Sequence, residues 1–90
     1  MSAADIVKKL KKRKLTLAVA ESITGGGLGS AITDIAGSSN VFLGGVISYS
    51  DEIKIKELGV DKKDLKKFTA VSEEVAIAMA EGAQIGRAHV

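Results

Sequence analysis

The stretch Leu15-Thr16-Leu17-Ala18-Val19-Ala20-Glu21-Ser22-Ile23-Thr24-Gly25-Gly26-Gly27 decides the fold. Its larger apolar residues, Leu15, Leu17 and Val19, alternate with Thr16, Ala18 and Ala20, the spacing of a short buried strand over Leu15 to Ala20. Glu21 and Ser22 leave that strand, and Thr24 to Gly29 is a glycine-dense turn. Leu28, Ala31, Ile32 and Ile35 then predict a helix that stops at Gly37. Open α/β sheets bind ligands at such a carboxyl edge, and Ser22 and Thr24 stand at its mouth. Glycines let a backbone approach a ligand, and N–H groups at a helix start favour an anion or a developing oxyanion. The same residues also read as a plain tight turn in which Ser or Thr caps the helix.

Outward from this point, Val41 to Tyr49 predicts a second strand, richest in β-formers at Val46 to Tyr49. Upstream, Asp5 to Lys14 predicts an amphipathic helix with Ala3, Ile6, Val7 and Leu10 on one face and a Ser2/Asp5 capping box. Downstream, Asp51 and Asp61 are candidate caps of two short helices, the first ended by Gly59. Ser72 opens a last helix whose Val75, Ala76, Met79, Ala80 and Ala83 form the buried stripe. The order helix, strand, helix, strand, helices defines an α/β class, a layered helix-sheet-helix domain with a βαβ crossover. Only two strands are visible, too few for an independent sheet, so the domain is expected to be incomplete.

The glycine turn matches neither of two nucleotide-binding patterns. Gly25, Gly27 and Ser30 only approximate G-x-G-x-x-G, and no acidic residue follows in the expected context. No Gly-Lys-Ser/Thr follows the glycines, which excludes a P-loop. A different chemistry is suggested where the second strand ends, at Ser48-Tyr49-Ser50-Asp51-Glu52-Ile53-Lys54. With the strands parallel, Tyr49 and Ser22 leave the sheet at one edge. Lys54 then falls in the first turn of a helix, where the dipole is positive and an ammonium is disfavoured. A neutral amine beside a serine hydroxyl is the general base of a Ser–Lys hydrolase. Lys54 paired with Asp51 or Glu57 on a wet surface is the other reading of this spacing.

Composition narrows the field. Cys is absent and His occurs once, at His89, so no thiolate or imidazole metal centre can be built, and neither metal nor cofactor is expected. The hydrophobic share is 46% with 3% aromatic, ample for a core but poor in the stacking platforms that single-stranded nucleic acid needs. Net charge is +2, and the Lys8 to Lys14 run reads as a solvated helix face rather than a nucleic-acid footprint. No apolar run approaches the roughly 20 residues of a membrane span, and Lys8 and Lys9 interrupt the first apolar stretch. A cytoplasmic location without membrane association is the expectation.

At these residues the chain resembles the carboxyl-terminal domain of the competence/damage-inducible protein CinA, a family that includes stand-alone nicotinamide-mononucleotide amidohydrolases. The resemblance rests on AESITGG at Ala20 to Gly26, TDIAGSS at Thr33 to Ser39, GGVISYSDEIKIKELGV at Gly44 to Val60 and AVSEEVAIAMAEGA at Ala70 to Ala83. It implies metal-free hydrolysis of the carboxamide of nicotinamide mononucleotide to nicotinate mononucleotide and ammonia. By that resemblance Ser22 is the nucleophile, Lys54 its base and Tyr49 a relay or positioning group. Thr24, Gly25, Gly26, Ser39 and Ser48 are substrate-binding candidates, with glycine N–H groups holding the oxyanion and Ser39 a rival nucleophile. Asp51 stands where the family usually has Asn, and Ile23 where Cys is frequent.

Residues 1–83 are expected to be the amino-terminal part of such a domain and 84–90 a tail unlike the family, with no role for His89. Exposed sheet edge then predicts homo-oligomerisation or association. A non-catalytic nucleotide-binding or interaction module is the alternative function.

Overall fold

The computed structural model describes residues 1–84; the expectation for the tail beyond Gln84, including His89, lies outside the described residues. Helix α1 (Ala3–Arg13) starts with the anticipated box: Ser2 Oγ accepts from Asp5 N–H while Asp5 accepts from Ser2 N–H. It ends at left-handed Lys14, and Leu15 N–H donates back to Leu10 O at 2.9 Å. That bond takes Leu15 out of the sheet. Strand β1 therefore runs Leu17–Glu21, later than the alternation predicts at both ends.

Helix α2 is Gly27–Thr33, and a short 3-10 turn at Ser38–Asn40 leads into β2, Phe42–Ile47. Helices α3 (Asp51–Leu58), α4 (Lys62–Phe68) and α5 (Glu73–Gly82) complete the described chain. Asp61 and Ser72 cap α4 and α5, and left-handed Gly59 closes α3, all as anticipated. One cap differs. Ser50 Oγ, not Asp51, accepts from Ile53 N–H, which makes Asp51 the first helical residue of α3.

The strands pair in parallel, from Leu17 beside Phe42 to Glu21 beside Ile47, with a one-residue irregularity after Leu17. This is the βαβ unit expected from the sequence, in a mixed α/β architecture with a two-stranded sheet among the described residues. Two apolar clusters flank it. Val7, Ile32 and Val41 collect Leu17 and Phe42 between α1, α2 and the sheet. Leu58, Val60, Leu65, Val75, Met79 and Ala83 collect Ala20 and Val46 beneath α3, α4 and α5. Helix α5 lies so close to α3 that a Cβ on Gly82 would overlap the Leu58 carbonyl.

Parallel pairing has one consequence for the site. Both strands deliver their carboxyl ends to the same edge, so Ser22 after β1 and the Ser48–Lys54 segment after β2 converge there. No helix among the described residues is long and apolar enough to cross a membrane.

Candidate active site

Lys54 is the centre of the converging groups. Its place on the fourth residue of α3 turns the side chain beneath the ends of both strands, and the residue is only 1% exposed. The amine is fully engaged: Nζ lies 2.8 Å from Ser48 O, 3.1 Å from Ser22 Oγ and 3.3 Å from Tyr49 O. Asp51 Oδ1 stands farther off, at 4.0 Å, with its carboxylate exposed to solvent. The wet surface ion pair considered above therefore gives way to a buried amine held by two carbonyls and a hydroxyl. An ammonium has three donors, and three acceptors surround it.

Ser48 is 0% exposed. Its backbone N–H and its hydroxyl both donate to Glu21 O, at 2.6 and 3.1 Å. Ser48 thus extends the sheet by one bond beyond β2, and its side chain is turned into the protein rather than toward a ligand. Tyr49 is the reverse case: it enters the cluster through its carbonyl, while the residue is 75% exposed.

Glu21 is the residue that the sequence reading missed. It closes β1 at 5% exposure, and its carboxylate accepts from Thr24 Oγ1 (2.8 Å), Leu28 N–H (2.7 Å) and Gly29 N–H (3.0 Å). Burial pushes this carboxyl upward, but the hydrogen bonds from Thr24, Gly29, Leu28 and Gly26 outweigh it and hold the group below the ordinary value. The protein's own anion therefore occupies the start of α2. A glutamate seven and eight residues ahead of Leu28 and Gly29, in the first turn of α2, was the available signal.

The glycine turn takes on a different meaning as a result. Gly25 N–H donates to Ser22 O and Gly27 N–H to Thr24 O, both at 3.0 Å, and Gly26 N–H serves Glu21. Gly26 sits at φ 105°, a conformation that side chains rarely adopt, with a Cβ there meeting Ile47 Cδ1. These N–H groups, expected to hold an anion or oxyanion, are spent on the turn and on Glu21. Among the described residues, none accepts from Ile23 or Thr24 N–H, directly after Ser22. The Thr24 hydroxyl is likewise tied to Glu21.

Ser39 does not join the cluster. It lies in the 3-10 turn before the amino end of β2, and so at the opposite edge of the sheet from Ser22. The rise along β1 separates the two edges by about 15 Å. Beside β1 and α5 opens an apolar groove of about 620 Å³ that Ser22, Thr24, Val71 and Met79 help to line. Among the described residues, no group of three or more His, Cys, Asp or Glu is placed to hold a metal ion.

A parallel βαβ unit with a buried lysine in contact with a serine at its carboxyl edge places the chain among α/β domains that gather their polar groups at the ends of parallel strands. The CinA C-terminal domain family matches residues 1–88, and the chain belongs to that family. It is 57% identical over 82 residues to a CinA-like protein of Synechococcus sp. (strain RCC307), which covers 91% of this chain and 20% of the relative. A putative competence-damage inducible protein of Halothermothrix orenii is 56% identical over 78 residues, covering 87% of this chain and 19% of the relative. Among solved structures, a competence/damage inducible protein from Agrobacterium tumefaciens superposes with a TM-score of 0.87 at 41% identity, covering 90% of this chain and 49% of that one. A CinA superfamily protein from Escherichia coli gives a TM-score of 0.88 at 36% identity, covering 90% and 47%. The chain thus spans about a fifth of these curated relatives and about half of these solved structures.

Proposed function

We propose that this chain carries the Ser/Lys centre of an amidohydrolase that acts on the carboxamide of nicotinamide mononucleotide, yielding nicotinate mononucleotide and ammonia. The observation behind this reading is the buried Lys54 amine 3.1 Å from Ser22 Oγ, with two carbonyls as its other partners. When the ammonium gives up the proton it directs at Ser22, the neutral amine that acts as base has two N–H donors and one lone pair. Ser48 O and Tyr49 O can only accept, so they take the two N–H groups and leave the lone pair for the Ser22 hydroxyl proton. That is the arrangement a general base needs, within hydrogen-bond reach of the proton it removes.

Ser22 Oγ then attacks the amide carbon while Lys54 Nζ takes the hydroxyl proton, giving a tetrahedral adduct. Ile23 and Thr24 N–H are the backbone donors available for its oxyanion, in place of Gly25 and Gly26. Lys54 returns the proton to the amide nitrogen and ammonia departs. Water, deprotonated by the same amine, releases the acid and restores Ser22. The choice of amide and nucleotide comes from the resemblance to the amidohydrolase members of the family.

A binding module without turnover is the second reading, and the open apolar groove beside β1 favours it. Ammonia release from nicotinamide mononucleotide, measured alongside calorimetric binding, separates the two. The hydrolase reading expects turnover that Ser22→Ala and Lys54→Ala both abolish; unchanged turnover in either variant removes that residue from the mechanism. Binding with no ammonia from the wild-type chain selects the module.

A further inference from the structure

We propose that Ser48 is a positioning residue for the Ser22–Lys54 pair, an inference that deepens the hydrolase reading and rests on it. The family resemblance makes Ser48 a substrate-binding candidate, but at 0% exposure the residue is sealed from the cleft. Its bonds form a closed circuit instead. The Ser48 carbonyl takes Lys54 Nζ at 2.8 Å, and the same amine reaches Ser22 Oγ at 3.1 Å. From its other end Ser48 donates both N–H and hydroxyl to Glu21 O, the carbonyl of the peptide group that supplies the nitrogen of Ser22.

One residue therefore grips the nucleophile's own peptide plane and the general base's amine. A backbone N–H alone would leave the Ser48 peptide free to tilt about a single bond. The hydroxyl adds a second bond to the same oxygen, which has two lone pairs to receive them. The carbonyl facing Lys54 is thereby fixed relative to Ser22. Misplacement of a reacting group by about 1 Å can cost about a hundredfold in rate, so the hydroxyl acts on catalysis without touching substrate.

The test uses the full chain and a probe independent of the nucleotide, p-nitrophenyl acetate. Ser22 Oγ attacks its acyl carbon, Lys54 takes the hydroxyl proton, p-nitrophenolate leaves and Ser22 retains the acetyl group. Ser48→Ala keeps the backbone bond to Glu21 and so keeps the strand pairing. It is expected to slow acylation about tenfold or more, with a wild-type circular dichroism spectrum. On nicotinamide mononucleotide the same loss falls on kcat, with KM within about twofold of wild type. Ser48→Thr, which retains the hydroxyl, restores the acylation rate. If Ser48→Ala does not fold, Ser48→Cys takes its place, similar in size but a weaker donor.

Wild-type acylation in the hydroxyl-weakened variant overturns the proposal, as does a rise in KM with kcat unchanged, the mark of a substrate contact. A wild-type chain that is acylated at Ser22 but releases no ammonia from the nucleotide overturns the substrate reading alone, and the acylation series still decides Ser48. A wild-type chain that is not acylated overturns both.

Discussion

Lys54 Nζ lies 3.1 Å from Ser22 Oγ across 32 residues of sequence. Nothing local joins them. The contact exists because β1 and β2 run parallel in a fixed register, and because α3 begins soon enough after β2 to turn its fourth residue back under the sheet. A lysine in that place is shielded from bulk solvent, and its partners are the chain's own oxygens.

Lys54→Met tests both consequences of that burial. Methionine keeps much of the aliphatic volume but leaves Ser48 O and Tyr49 O without the amine they face. If Lys54 is the base of the proposed hydrolase, its removal is expected to lower kcat on nicotinamide mononucleotide by about a thousandfold or more, as for other members of a nucleophile–base pair. Loss of hydrogen bonds to a buried group is expected to cost about 1–3 kcal/mol of stability. Ammonia release and urea unfolding measure the two effects on one preparation.

Ser39→Ala is expected to leave turnover within about twofold of wild type, because Ser39 sits at the amino end of β2 and the Ser22–Lys54 pair at the carboxyl ends of both strands. A large fall in kcat in this variant would require a second copy of the chain to bring its own Ser39 to the site. Sedimentation of the wild-type chain under the assay conditions tests that explanation directly.

What the sequence made legible was local. Alternation located β1, and helix ends were announced by Ser2 with Asp5, by Gly59, by Asp61 and by Ser72, each of which acts within a few residues of itself. The meeting of Ser22 with Lys54 was readable only because two strands of known direction imply a common edge. What escaped depends on which way a side chain turns. Ser48 and Tyr49 are neighbours of similar promise, yet one is sealed beneath the sheet and the other faces solvent. Glu21 read as a residue leaving the strand, and its role as the anion under α2 appears only when the glycine turn folds back over it. Ser50 and Asp51 are both good caps, and the choice fell to the residue with extended backbone.

Glu21 also gives the domain an acid limit. Its carboxyl is held below the ordinary value in the folded chain, so its contribution to stability is present above the unfolded value and is lost as pH falls through the folded one. Asp5 is lowered as well, by the Ser2 backbone and side-chain hydrogen bonds, and acts with the same sign at the start of α1. Urea midpoints are expected to hold from neutrality down to the usual carboxylate range near pH 4 and to fall below it. In Glu21→Gln the acid dependence should flatten and the neutral midpoint should drop, because an amide offers one acceptor oxygen to Thr24, Leu28 and Gly29 where the carboxylate offers two. Equal acid dependence in variant and wild type would remove Glu21 from this account.

Gly82 tests the packing that supports α3, and hence Lys54, from below. Its backbone approaches α3 so closely that an added methyl would overlap the Leu58 carbonyl, a rigid neighbour rather than a flexible side chain. Helix propensity alone would favour alanine over glycine here by about 1 kcal/mol. Overpacking against backbone costs about 1–3 kcal/mol and outweighs that gain. Gly82→Ala is therefore expected to lower the thermal midpoint. Because Leu58 lies four residues beyond Lys54 on the same helix, a shift of α3 away from α5 would also move the amine, so acylation of Ser22 should slow in the folded variant. A raised midpoint with an unchanged acylation rate would mean that α5 moves away instead, leaving α3 and the Ser22–Lys54 distance where they are.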